Sequence, residues 1–285
     1  MTPVVLLSPA SGSGKTTVAA GLAQKLRSQN QACHLTRLGD DTSAASDAAL
    51  FTRLSSGDGG LAFIEAPGAA SSAAPEARAL VVAGGEEDPA ALAGFCREVG
   101  PRLAGVLLNR IPVKRRTAVE GGMKAAGVNV LLSLPEDRLL ATPTLGAVAE
   151  ALDAESLFFD SNAERALGGL VIASISADPG QGYFIRRDAS AVIVRSDKPD
   201  LQLAAISAGA TCLIVTGGLP FLSYVIDRAA ADEIPLVRTR MDTGDTVKAI
   251  EGLYAAGPFS GGADKLSRLA QLFEGLDAAF LFAAA

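Results

Sequence analysis

The stretch that most constrains this chain is Pro9-Ala10-Ser11-Gly12-Ser13-Gly14-Lys15-Thr16-Thr17, set between the apolar run Val4-Val5-Leu6-Leu7 and a segment with helical periodicity. Strand, glycine-containing loop and helix in that order make a phosphate cradle, because glycines let several backbone N–H groups converge on anionic oxygens at a helix N-terminus. With this spacing Lys15 reaches the β- and γ-phosphates of a nucleoside triphosphate and the Thr16 hydroxyl holds Mg²⁺, while Ser11, Gly12, Ser13, Gly14 and Thr17 complete the loop. Pro9 stands where the first glycine of the G-x-x-x-x-G-K-[ST] pattern is usual. A chance Gly-Ser turn is the competing reading.

Beyond the loop, short β-like runs alternate with helical patterns, which predicts parallel sheets flanked by helices, an α/β fold. Val18, Leu22 and Leu26 put one apolar stripe on the first helix. Strands are expected at 32–37, 61–65, 79–83, 105–109 and 128–132, with a helix over 89–99 and a turn at Pro135-Glu136-Asp137. Ala66-Pro67-Gly68 breaks the third strand, and residues 69–74 read as a mobile Ala/Ser-rich stretch. The pattern loosens over 152–169, through Asp153, Asp160, Ser161 and Asn162, so the domains are expected at 1–155 and 165–285. Further strands are expected at 170–173, 191–194, 212–216 and 235–239, and helices at 199–208, 222–231, 243–254 and from 263 onward. The apolar end, Ala278-Ala279-Phe280-Leu281-Phe282, should dock on the chain or on a second copy of it.

Composition narrows the partners. A chain of 285 residues, 49% of them hydrophobic, can build two cores. Its net charge of −6 offers no general attraction to nucleic acid or anionic membrane, and Lys114-Arg115-Arg116 reads as a solvated loop. No apolar stretch reaches the ~18 residues of a membrane helix, and the opening run lacks the basic lead of a signal peptide. Cys33, Cys96 and Cys212 are far apart and without metal-ligand spacing, as expected of reduced thiols in a cytoplasmic protein. His34, the single histidine, reads as structural.

Taken in order, the loop, the turn Glu65-Ala66-Pro67-Gly68, the segment Gly105-Val106-Leu107-Leu108-Asn109-Arg110-Ile111-Pro112 and Leu134-Pro135-Glu136-Asp137 resemble the dethiobiotin-synthetase-like branch of P-loop proteins. The loop itself is similar to that of cobyrinic acid a,c-diamide synthases. The resemblance covers about the first 150 residues and implies a P-loop NTPase-type parallel-sheet domain that binds ATP with Mg²⁺. It implies that Asn109 reads the adenine edge, with a strand-ending turn residue as the alternative, and that Glu65 helps hold Mg²⁺. Asp47 falls where the family has another metal-facing acid, the alternative being a carboxylate favoured by a helix dipole. Lys15 and Glu65 are the candidate catalytic residues if ATP is turned over. Arg37-Leu38 replaces the synthetases' Lys-Pro pair, and residues 38–60, where synthetases build a substrate pocket, form a short segment, which disfavours a carboxylating ligase.

The second half carries Ser196-Asp197-Lys198-Pro199-Asp200, Thr216-Gly217-Gly218 and Asp242-Thr243, which look like the landmarks of the DRTGG domain, with Lys198 where Arg is usual. A dethiobiotin-synthetase-like domain followed by a smaller α/β DRTGG domain resembles the regulatory part of long phosphotransacetylases, and 285 residues leave no room for their acyltransferase domain. Capping and turn chemistry account for every landmark: Asp200 and Asp242 or Thr243 as helix caps, Gly217-Gly218 as a tight turn with exposed N–H groups. The sharper expectation is a pocket for a second small anionic or nucleotide effector, formed by Asp197, Asp200, Thr216, Gly217, Gly218, Asp242 and Thr243. The implied function is a cytoplasmic, dimeric Mg-ATP-binding regulator or sensor, with slow ATP hydrolysis as an accompanying activity. The alternatives are an ATP-dependent carboxylate-activating synthetase of the dethiobiotin or cobyrinate type, and an interaction module with a vestigial loop.

Overall fold

Alternating apolar runs and amphipathic segments fold here into two sheets, each buried on both faces. The protein is described by a computed structural model over residues 3–39, 44–56, 60–67, 73–158, 161–173, 184, 186, 190–256 and 259–281. Gly68, residues 69–72, Asp160 and Phe282, and parts of 38–60, all of which figured in the expectations above, lie outside the described residues. Two compact units emerge, residues 1–140 with 263–285, and residues 141–262.

In the first unit the strands are Val4–Leu7 (β1), Cys33–Arg37 (β2), Leu61–Glu65 (β3), Arg78–Gly84 (β4), Leu103–Ile111 (β5) and Val130–Pro135 (β6). They form one sheet in the order β2-β3-β1-β4-β5-β6, every neighbouring pair parallel. Helices Lys15–Ser28 (α1), Ala44–Leu54 (α2), Pro89–Val99 (α3) and Arg116–Ala125 (α4) connect the strands. Val5, Leu7, Val81, Val106 and Leu108 share a core with Leu92 and Val99 of α3 and Met123 of α4. All four positions of β1 are buried, as expected of a central parallel strand covered on both faces. The expected strands appear within a few residues of their predicted ends. Lys114-Arg115-Arg116 is exposed as predicted, but it forms a helical turn leading into α4, with Arg115 on Glu86 at 2.8 Å and Arg116 on Glu120 at 2.9 Å.

After the single turn Arg138–Ala141 (α5) come Leu145–Ala151 (α6), Glu155–Leu157 (β7), Gly169–Ile172 (β8), Ser190–Arg195 (β9), Pro199–Ser207 (α7), Cys212–Thr216 (β10), Ser223–Ala231 (α8), Leu236–Arg238 (β11) and Thr243–Ala256 (α9). The second sheet runs β7-β11-β10-β9-β8, with β7 antiparallel and the other pairs parallel. Period-two alternation divides its residues cleanly. Val192, Val194, Leu213 and Val215 pack with Leu201 and Ile206 of α7 and Val225 of α8. Ala191, Ile193, Cys212 and Ile214 pack with Leu145 and Val148 of α6 and Ile250 of α9.

The last helix, Ala263–Leu272 (α10), groups with the first unit, whereas the sequence placed it with the second. The cause is a close helix approach: Phe273 is fully buried, and a Cβ on Gly21 of α1 would lie 2.2 Å from its ring. Lys25 Nζ also donates to the Glu274 carbonyl at 2.6 Å, and Arg268 pairs with Asp137 at 2.7 Å. Ala278 and Leu281 are buried, so the apolar end docks on its own chain.

Candidate functional site

Parallel strands bring their C-terminal ends to one edge, so Arg37, Leu7, Glu65 and Asn109 arrive together without any special signal. Arg37 and Glu65 are direct register partners across β2 and β3. From the end of β1, residues 8–14 lead into α1, whose N-cap is Gly14 in the left-handed region at φ 88°. A side chain there would be strained, and its Cβ would lie 2.1 Å from Asn109 Nδ2. Glycine therefore lets the loop close onto β5.

Lys15, only 7% exposed, donates from Nζ to Ser8 Oγ at 2.8 Å, across the mouth of the loop. Thr16 Oγ1 donates to Glu65 Oε1 at 3.1 Å. Arg37 Nη1 donates to Glu65 Oε1 at 3.1 Å and to Asp47 Oδ2, so one guanidinium nitrogen joins the two acids and Thr16 shares Glu65 Oε1 with it. Ser11 and Gly12 are exposed at the loop's tip, Ser13 is buried, and Thr17 is half-buried in the helix's first turn. The N–H groups of that turn have no intrahelical acceptor. Burial, the largest influence, pushes the Glu65 carboxyl up to about 6; Arg37, the Thr16 hydroxyl and Lys15 oppose it, and Asp47 adds to it. Two buried oxygens, Ser13 Oγ and Glu65 Oε2, find no hydrogen-bond partner among the described residues.

Asn109 is 5% exposed, and one of its two amide N–H groups donates to the Ser13 carbonyl at 3.0 Å. The neighbouring Arg110 has φ 55° beside a register irregularity in β5, which turns its side chain out to donate to the Gly12 carbonyl. Both residues brace the loop from β5. Sequence reasoning singled out neither Arg110 nor Ser8, and it weighed Arg37 only as a replacement, because each role depends on a partner far along the chain.

Any metal here takes an oxygen-only set. Among the described residues no three His, Cys, Asp or Glu side chains gather. Thr16, Glu65 and Asp47 would supply a hydroxyl and two carboxylates, which fits Mg²⁺, an ion that keeps several waters and shares its shell with phosphate oxygens. His34 lies exposed on β2, away from these groups, and the three thiols are free. Burial pushes the Cys212 thiol up to about 12, consistent with an inert core residue.

The second unit also gathers its landmarks at the strand C-termini. Thr216 and Thr243 hydroxyls lie 3.1 Å apart, and Asp242 Oδ1 accepts from Asp245 N at 2.8 Å, capping α9. The Gly217 and Gly218 N–H groups are not exposed donors, however: they bond the carbonyls of Met241 at 2.9 Å and Thr239 at 3.0 Å, stitching two loops together. Asp200 does not cap α7, because Pro199 fills the first helical position and Lys198 becomes the N-cap; Asp200 lies exposed in the first turn. Asp197 is exposed and bonded by Arg195 at 2.9 and 2.5 Å. So Thr216, Gly217, Gly218, Asp242 and Thr243 come together, while Asp197 and Asp200 belong to the neighbouring turn. A groove of about 420 Å³ lies elsewhere, at the segments that lead into β10 and β11, with Arg165, Thr211, Arg228 and Asp232 among its lining residues.

No helix of the described residues is long and apolar enough to cross a membrane. Among solved structures, the CBS and DRTGG domains of the regulatory region of Clostridium perfringens pyrophosphatase, complexed with the activator diadenosine tetraphosphate, are similar at 18% identity and a TM-score of 0.35. That match covers 43% of this chain and 54% of the other, about half its length. Residues 147–253 match the DRTGG domain model, and this part of the second unit is a DRTGG domain.

Proposed function

We propose that the first unit binds Mg-ATP at residues 8–16 and that this binding serves a regulatory role exercised with the DRTGG domain. The observation that carries the reading is the pair of buried oxygens without partners, Ser13 Oγ and Glu65 Oε2, beside Lys15 and the start of α1. Buried polar atoms are almost always satisfied, so an unpartnered hydroxyl in the loop and an unpartnered carboxylate oxygen on the Glu65 that Thr16 bonds support a ligand's donors or a cation there. Lys15 moves its ammonium from Ser8 to a phosphate oxygen, and the N–H groups at the start of α1 receive the remaining negative charge. Mg²⁺, when bound, neutralises the phosphates as a Lewis acid. Thr16, Glu65 and Asp47 are the residues that would hold it. Asn109 and Arg110 hold the loop in shape.

Binding with slow turnover at most is favoured over a carboxylate-activating synthetase. Arg37, at the position of the synthetases' lysine, is held by Asp47 and Glu65 in the free protein, an arrangement suited to regulating metal entry. Mg-ATP should raise the melting temperature in a concentration-dependent way, since a ligand that binds only the folded loop stabilises it by mass action. No shift at millimolar Mg-ATP refutes the reading.

A further inference from the structure

Arg37 joins the two acids that the Mg-nucleotide reading assigns to a divalent cation. Its side chain, at 10% exposure, touches Asp47 at 3% and Glu65 at 5%, the latter at 3.1 Å. Glu65 Oε1 receives both Arg37 and Thr16, whereas Oε2 of the same carboxylate is buried without a hydrogen-bond partner. One half of the carboxylate is thus saturated by an internal cation and the other half is left for a second one. Arginine keeps its charge at any accessible pH, and here one guanidinium nitrogen, Nη1, donates to both carboxylates, so a metal cannot enter by waiting for it to lose a proton. The metal must displace it or share the acids with it.

We propose that Arg37 is a built-in competitor for the divalent cation. Guanidinium and metal hold Asp47 and Glu65 in alternation, and the exchange becomes favourable when a bound triphosphate adds negative charge for the released guanidinium to pair with. This rests on the Mg-nucleotide reading and adds its regulation: metal loading depends on nucleotide, and the free protein holds Mg²⁺ weakly. A lysine at this position could shed its proton to admit the metal, whereas the guanidinium must be displaced.

The test is a titration of the full chain with Mn²⁺ alone, following the free ion by its paramagnetic signal. Without nucleotide, Arg37→Gln should bind Mn²⁺ at least tenfold more tightly than wild type, and Mn²⁺ should raise the melting temperature of the variant more than that of wild type. Arg37→Lys should show a smaller gain of at least threefold, and it decides the matter if Arg37→Gln does not fold. Equal or weaker Mn²⁺ binding by the variants means that Arg37 supports the metal, and overturns the proposal. Failure of the nucleotide reading shows separately, as labelled ATP that does not bind wild type with or without Mn²⁺, while the metal-only contrast is read independently.

Discussion

Asn109 and Ser13, 96 residues apart, are joined by a 3.0 Å hydrogen bond from the Asn109 amide to the Ser13 carbonyl. It fixes the loop directly beneath Gly14, where no side chain fits. Asn109→Ala should therefore weaken ATP, GTP and inorganic triphosphate by similar factors, because the loop that all three share loses its brace. Leaving a buried acceptor unpaired should also cost ~1–3 kcal/mol of stability. Competition titrations with the three ligands check this. A selective loss of ATP over GTP would assign base reading to Asn109.

Burial raises the Glu65 carboxyl from 4.5 to about 6. The sign follows from proton binding: between those values the folded state holds more protons than the unfolded one, so this group's stabilisation is present below 4.5 and lost as pH rises through about 6. Relative to Glu65→Gln, wild type should lose ~2 kcal/mol between pH 4.5 and 7.5. Metal-dependent stabilisation should run the other way and fade below about pH 6, where the ligand carboxylate is protonated. Denaturation of both proteins across this range, with and without Mg-ATP, measures the two slopes. A difference curve flat in pH would contradict the buried-carboxylate account.

Gly21 and Phe273 bind the C-terminal helix to α1, since a Cβ on Gly21 would meet the ring at 2.2 Å. Gly21→Ala should cost ~1–3 kcal/mol by overpacking, and Phe273→Ala ~3–5 kcal/mol by leaving a cavity. Combined, they should cost less than their sum, because truncating the ring removes the clash. Urea unfolding of the single and double variants tests the pairing.

The strands of both sheets were legible in the sequence because parallel strands buried on both faces are continuous apolar runs. Cys212–Thr216 and Leu61–Glu65 appear with the bounds the pattern predicts. Glu155–Leu157 was not legible: it is a three-residue antiparallel edge, largely exposed, in a stretch whose pattern loosens. The loop and the acids Glu65 and Asp47 could be named from residue type and position. Their arrangement around Arg37 could not, because a β2 end, a helix turn and a β3 end meet only once the sheet is ordered. The Gly217-Gly218 turn was recognised from its composition, but the engagement of its N–H groups by residues 239–241 is a long-range pairing with no local signal.

Asp242 caps α9 whereas Asp200 lies within the first turn of α7, so the two aspartates should respond differently. Asp242→Ala should cost ~0.5–2 kcal/mol. Asp200→Ala should cost less than ~1 kcal/mol, an exposed dipole effect screened by salt. Thermal unfolding at low and high salt separates them.

Calorimetric titration of Mg-ATP into wild type and Lys15→Ala, with the fold of each verified by its far-ultraviolet circular dichroism, addresses the central claim most directly. The account predicts saturable binding of one ATP per chain by wild type, dependent on Mg²⁺, and its loss in a folded Lys15→Ala. Absent binding in wild type, or equal binding in both, would contradict it.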